Sequence, residues 1–247
     1  ISDYIEKRME KDGVKPATVN NELTALKRMF NLGKQHTPPM VGDIPKITML
    51  AEDNVREGFF THEQFLTLRK RLPKYMYAVV TLGYTYGFRK SEILGLTWEK
   101  VDFEGNVLRL EPIDTKTKQA RTIKLSNECR DLLKAELEAR KDRKMVSPLV
   151  FLNGAGTGAI VDFRKRWASA CKDVPELKGK LFHDLRRTAA TTMASLGISS
   201  DVIDECLNHM IQSRVTRIYI RDRREGEQVK AFDALGQRLA DLVALAV

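Results

Sequence analysis

Apolar residues recur at helical spacing through most of the chain, and only one short stretch alternates in the manner of strands. Between Thr18 and Gly33, the residues Val19, Leu23, Leu26 and Phe30 are separated by four, three and four positions, which places them on one face of a helix. Pro16 and Thr18 supply its start signals. A preceding segment, Ile1 to Lys11, has some helical character through Tyr4, Ile5 and Met9. Two helices cannot bury a core by themselves, so this first domain is expected to be cut short. From His36 to Gly58 the periodicity stops. Thr37-Pro38-Pro39, Gly42 and Pro45 remove helical hydrogen bonds there, and the stretch reads as an extended linker.

Thr61 followed by Gln64 is a capping-box signature that opens a helix carrying Phe65, Leu68 and Leu72. Tyr75 to Tyr86 is mostly apolar and predicts a buried helix; after a turn at Gly87 another is expected over Ser91 to Trp98. Val107 to Glu111 and Arg121 to Leu125 alternate as strands do, joined by the polar stretch Asp114 to Ala120. Helices resume at about Ser126 to Lys144, Val161 to Lys172, His183 to Leu196, Ser200 to Leu207 and Glu225 to Ala246. The fold class is therefore mainly α with a small β-sheet or hairpin, α+β, divided into residues 1–36, a 37–58 linker and a 59–247 domain. The last helix carries Val229, Phe232, Leu235, Leu239 and Leu242 on one stripe, to be covered by its own domain or by a neighbouring protomer.

Composition narrows the class. The chain has 247 residues, 43% hydrophobic and 30% charged, as expected of a soluble globular protein. No apolar run approaches the ~20 residues that span a bilayer, so no membrane role is expected. Starting at Ile1 without a methionine or signal pattern, it reads as a fragment of a longer cytoplasmic polypeptide. Cys129, Cys171 and Cys206 are far apart and lack metal-ligand spacing, so they are expected to be reduced packing thiols. A formal net charge of +9 suits a polyanionic partner such as nucleic acid.

The candidate chemistry lies in five short segments. Arg89 follows a glycine turn at the start of a helix, with Glu92 three residues on; its planar fork suits two phosphate oxygens, although the same pair also describes a surface arginine with a helical acid. His183 and Arg186 fall on one side of a helix near its N-terminal end, where free N–H groups favour anions, with Arg187 beside them. Lys116 sits between the two strands, where Lys118, Arg121 and Lys124 compete for the same role. His209 ends a short helix; with His183 it makes two of only four histidines. Tyr219 follows among Arg214, Arg217, Arg221, Arg223 and Arg224, which equally describe a phosphate-backbone stripe around a packing tyrosine. A phenol with a pKa of about 10 needs cations and a nearby base to become a nucleophile.

In order and spacing, Arg89 with Glu92, Lys116, His183-x-x-Arg186, His209 and Tyr219 resemble the tyrosine recombinase (phage integrase) family, of the prophage type. The resemblance extends to "PATVNNELTALKRMF", which is similar to the last helical part of the family's core-DNA-binding domain. It departs at Asn208, where the family usually has glycine, and in a longer interval from His209 to Tyr219. It implies a site-specific DNA recombinase in which Tyr219 attacks a phosphodiester and holds the 3′-phosphate. Arg89 and Arg186 would neutralise the transition state, His183 and His209 add hydrogen bonds with His183 accepting the phenol proton, Lys116 protonate the leaving 5′ oxygen, and Glu92 fix Arg89 or a neighbouring backbone group. Lys118, Arg121, Arg187, Arg214, Arg217 and Arg221 are candidate DNA contacts. It also implies no metal and no cofactor, double-stranded DNA as partner, a tetrameric synapse of identical chains on DNA, and accessory DNA-bending proteins. A type IB topoisomerase and a catalytically silent DNA-binding regulator remain alternatives.

Overall fold

The chain forms two compact units, Ile1–Glu57 and Gly58–Val247. The computed structural model describes residues 1–53, 58–142, 146–209 and 224–244, without the side chains of 141, 142, 243 and 244.

In the first unit, α1 (Ser2–Glu6) runs into a π-type turn, Lys7–Lys11, and α2 spans Pro16–Gln35. Proline serves at the first position of α2 because that N–H would have no intrahelical partner. Val19 and Leu23 are fully buried, and Ile47 from the extended stretch packs on them with Ile5, Met9, Leu26 and Phe30 around. The Asn20 amide fixes that return by donating to Leu50 O at 2.9 Å and accepting from Leu50 N at 2.8 Å. The proline-rich stretch thus has no helix or strand, yet its far half belongs to this small core.

The second unit opens with α3 (His62–Arg71), where Thr61 and Gln64 form both bonds of the capping box, at 3.2 and 3.1 Å. The apolar α4 (Tyr77–Tyr86) is the centre of the core and packs against α8 (Phe182–Ser195). Gly83 permits that approach, since a Cβ there would lie 2.9 Å from Phe182 Cζ. After it, α5 (Lys90–Leu94) is shorter than the Ser91–Trp98 helix expected: Gly95 ends it, Thr97 is extended, and Trp98–Lys100 form a single 3₁₀ turn. A three-stranded antiparallel sheet follows, β1 (Val101–Asp102), β2 (Val107–Leu110) and β3 (Arg121–Lys124), in that order. Leu108 pairs with Val101 and Ile123, and Leu110 with Arg121. The two-residue β1 is too short for alternation to announce it in sequence.

The remaining helices are α6 (Asn127–Asp142), α7 (Phe163–Cys171), α8, α9 (Ser200–Cys206) and α10 (Glu225–Ala244). α7 begins after the expected Val161, which is exposed, with Asp162 in the N-cap position. α10 lies on α4, α8, α9 and β3 of its own chain and buries Ala231, Phe232, Leu235 and Leu239, while Val229 stays 40% exposed. Tyr86 ties this arrangement together: its ring meets Phe232 edge-on at 5.7 Å and its Oη accepts from Ser126 N at 2.7 Å. Mainly helical with one small sheet, this is the architecture expected from the pattern. The three cysteines are free thiols, Cys129 and Cys206 fully buried.

Candidate active site

The site is organised around the turn that ends α4. Gly87 has φ +63°, and a Cβ there would lie 2.4 Å from Leu207 Cδ2, so both backbone conformation and space call for glycine. The turn aims two carbonyls at buried guanidiniums. Arg186 Nη1 donates to Gly87 O at 2.6 Å, and Arg121 Nη2 donates to Tyr86 O at 2.7 Å. Arg186 Nη2 also donates to Leu207 O. Arg186 is only 3% exposed; burial, then the charges of Arg121 and Arg89, push it down to about 9, so it is still cationic at neutral pH.

Arg89 precedes α5 and is held from three directions. Glu92 Oε2 accepts its backbone N–H and Oε1 accepts Nη1, both at 2.9 Å, while its Nη2 donates to Asn208 O at 3.3 Å. The Glu92 side chain is wholly buried, whereas that of Arg89 keeps 19% of its surface open. Arg121, expected among the DNA contacts, is instead 4% exposed. The alternation of β3 turns Arg121 to the same inner face as Ile123. There its guanidinium lies 4.8 Å from the Phe88 ring centroid and 3.8 Å from Glu92 Oε2, and burial pushes it down to about 10. Its Nε and Nη1 make no hydrogen bond among the described residues.

Asn208 joins this centre to the β2–β3 loop. It has φ +52°, a left-handed conformation that asparagine tolerates better than most residues, which accounts physically for asparagine in place of glycine. Its Nδ2 donates to Gln119 O at 3.1 Å. Inside the loop, Thr115 Oγ1 donates to Gln119 O at 2.9 Å and accepts from Gln119 N at 3.1 Å. The loop is thereby pinned at its base while Lys116 and Lys118 stay exposed. His209 follows Asn208 directly; its Nδ1 lies 2.8 Å from Asp204 Oδ1, and its backbone N–H donates to Asp204 O at 2.8 Å.

His183 stands in the first turn of α8, on the side of Arg186, with its residue surface partly open. Partial desolvation, then the positive charges of Arg186 and Arg187, hold it below the ordinary histidine value, so its ring is neutral at pH 7. Arg187 is half-buried, with Nη1 at 3.7 Å from Asp184 Oδ1. Asp184 closes the helix start by accepting Leu181 N–H at 2.8 Å.

The structure thus brings together Arg89, Glu92, Arg186 and His209 around the 207–209 turn, with the Lys116 loop bonded to that turn and His183 one helical turn from Arg186. Tyr219, Arg214, Arg217 and Arg221 lie outside the described residues. Among the described residues two buried guanidiniums, Arg121 and Arg186, and the partly open Arg89 stand around one buried carboxylate, Glu92, so this cluster is electropositive and its donors are held in place. Asp204, which no motif singled out, and Arg121, expected as a DNA contact but turned inward, border this cluster. Period-two alternation from Ile123 would have turned Arg121 inward; nothing local marked Asp204.

A helical domain with one small sheet and a cluster of arginines gathered on the turns at Gly87 and Leu207–Asn208 defines the class, and the chain belongs to the phage integrase family, whose model matches residues 58–225. It is 27% identical over 168 residues to a probable integrase/recombinase protein of Methanocaldococcus jannaschii, covering 64% of this chain and 48% of that protein. The integrase of Salmonella phage P22 is 24% identical over 199 residues, covering 77% of this chain and 51% of that protein. The chain therefore spans about half the length of these relatives. The same fold occurs in the Tn1549 transposon integrase in complex with transposon right end DNA, at 20% identity and a TM-score of 0.66, covering 94% of this chain and 82% of that one. XerH site-specific recombinase bound to its difH substrate matches at 18% identity and a TM-score of 0.62, covering 88% and 65%. Among the described residues no helix is long and apolar enough to cross a membrane.

Proposed function

We propose that this chain carries the catalytic centre of a site-specific DNA recombinase that cleaves and rejoins double-stranded DNA through a 3′-phosphotyrosyl link at Tyr219. The observation that carries this reading is that Arg89 and Arg186 both reach the Leu207–Asn208 turn, next to His209, with Glu92 locking Arg89 from beneath. Two fixed guanidiniums at one point suit the equatorial oxygens of a five-coordinate phosphorus, where charge accumulates in the transition state. Kinship to integrases, and the DNA carried by the Tn1549 and XerH structures, favour DNA as the phosphodiester.

In this reading the phenol oxygen of Tyr219 attacks phosphorus and the bond to the 5′ oxygen breaks. The phenol proton passes to neutral His183, and Lys116 on its exposed loop gives a proton to the departing oxygen. The energy of the broken ester is kept in the new one, so ligation is the same step reversed and needs no nucleotide. Lys118 and Arg187 contact the backbone nearby. Arg121, which lies over the Phe88 ring, donates to Tyr86 O and approaches Glu92, supports Arg89 and Glu92 from inside rather than touching DNA. Synapsis of several copies on DNA follows from the need to exchange strands between two duplexes.

The test is covalent capture. The full chain is incubated with a labelled pool of nicked duplexes whose core is randomised, so that a cleaved strand diffuses away and traps the protein. A denaturation-resistant band carrying label, lost in Arg89→Ala and Arg186→Ala, supports the reading; no labelled band with any member of the pool removes it. A second arm separates strand exchange from relaxation. Supercoiled plasmid carrying the enriched core that is relaxed without exchange between two cores would make the chain topoisomerase-like instead.

A further inference from the structure

We propose that Asp204 is a positioning residue for His209, fixing which nitrogen of its ring is presented to the scissile phosphate. This rests on the recombinase reading above and deepens it by adding a residue outside the motif set. Asp204 lies on α9 and His209 just beyond the end of that helix. Two bonds join them, His209 N to Asp204 O and His209 Nδ1 to Asp204 Oδ1, both at 2.8 Å. The first fixes where the chain leaves the helix; the second fixes the ring.

The chemistry of the pair determines the rest. An ionised carboxylate only accepts, so the hydrogen between Asp204 and His209 is carried by Nδ1. The free nitrogen is then Nε2, on the far edge of the ring. In the neutral ring Nε2 holds a lone pair; when it takes a proton, the imidazolium donates from Nε2 to a phosphate oxygen while Asp204 pairs with its charge. Without Asp204 the neutral ring is free to place its hydrogen on Nε2 and to rotate. Nearby geometry restricts the direction in which Nε2 can act, because Asn208, the residue before His209, is bonded to Arg89 through its carbonyl and to Gln119 through its amide. Asp204 is also close enough to Arg186 for its charge to favour that guanidinium's cationic form. The carboxylate therefore lies beside the arginine cluster rather than in open solvent alone. Removing it is compatible with folding, since its side chain is 50% exposed on the surface of α9.

The experiment uses the full chain labelled with [¹⁵N]histidine. Nitrogen–proton correlation spectra at pH 8 assign the His209 ring by comparison with His209→Gln. The unmodified protein is expected to carry the His209 hydrogen on Nδ1, and Asp204→Ala to shift it to Nε2. In the covalent-capture assay on the enriched core, Asp204→Ala is expected to form adduct roughly tenfold to a hundredfold more slowly, at or below the low end of what a positioned proton-transfer group contributes, because the ring itself remains. Its affinity for intact duplex should not weaken, and Asp204→Glu should restore part of both the tautomer and the rate. An unchanged tautomer, or an unchanged adduct rate, in Asp204→Ala overturns the proposal while leaving the recombinase reading intact. Absence of adduct from the unmodified protein sinks both.

Discussion

Replacing Glu92 with glutamine removes the one carboxylate bonded to Arg89 among the described residues and leaves buried positive charge behind. The Glu92 side chain is wholly buried, with Arg89 N and Nη1 at 2.9 Å and Arg121 Nη1 at 3.8 Å. At about 4 Å and an effective dielectric near 20, each such pair is worth ~4 kcal/mol. Against this stands the cost of keeping the carboxylate itself out of water, several kcal/mol, so removing one partner of such a buried group costs a net ~3–5 kcal/mol. Glutamine keeps the shape and one acceptor but brings an N–H₂ toward a guanidinium. For a domain of this size the loss corresponds to a fall in Tm on the order of 10 °C. Both tryptophans of the chain, Trp98 and Trp167, belong to the Gly58–Val247 unit, so their fluorescence reports its melting alone. An anion seated in the pocket replaces part of the missing charge, so saturating sulfate should raise the Tm of Glu92→Gln more than that of the unmodified protein. A variant that melts with the unmodified protein, or gains no more from sulfate, would refute the idea of a charge-balanced pocket built around Glu92.

His183 sets a pH dependence. Its folded value lies below the ordinary ~6.5, so its contribution to stability is whole above about pH 6.5 and is lost as pH falls through that lower value. The part of adduct formation that depends on His183 should therefore hold steady from pH 8 to about 6.5 and drop only below that, and the ratio of the pH–rate profiles of the unmodified protein and His183→Ala checks it. Lys116→Ala should slow cleavage of an ordinary ester by about a hundredfold or more, yet cut a duplex with a 5′-bridging sulfur nearly as fast as the unmodified protein, because a thiolate leaves without a proton. If the sulfur substrate shows the same defect, Lys116 is not the acid. Titrations on duplex should weaken roughly a thousandfold or more between about 50 and 200 mM salt for ~6–10 phosphate contacts, and a flat response would argue against a backbone-bound complex.

Helical periodicity placed α2, α3, α4, α8 and α10 to within a few residues, because each carries a long apolar stripe that the core completes. Failures came where context outweighs pattern. α5 stops at Leu94 because Gly95 ends it and Leu96 turns into the core, which a run of helix-tolerant residues does not announce. Arg121 looked like one of several equivalent cations on a basic loop; only its pairing with Leu110 and the alternation of β3 reveal that it faces inward. Arg89, Glu92 and Arg186 were legible because a cation at a helix start, an acid three residues on and a His-x-x-Arg spacing are local. The bonds that gather them run from side chains to the carbonyls of Tyr86, Gly87, Leu207 and Asn208, and backbone acceptors carry no signature in sequence. Asp204 escaped notice for the related reason that its partner lies one residue past the regular helical neighbours.

The central claim is that these groups serve an attack by one phenol oxygen, and the residue that bears the DNA decides it. After covalent capture, nuclease trimming and trypsin digestion, mass spectrometry of the adduct should find the residual nucleotide on the peptide of residues 218–221, which holds Tyr219. The Tyr219→Phe protein, which retains Arg89, Arg186, His183 and His209, should give no adduct. A nucleotide found on any other peptide, or an adduct of equal yield from Tyr219→Phe, would contradict the account.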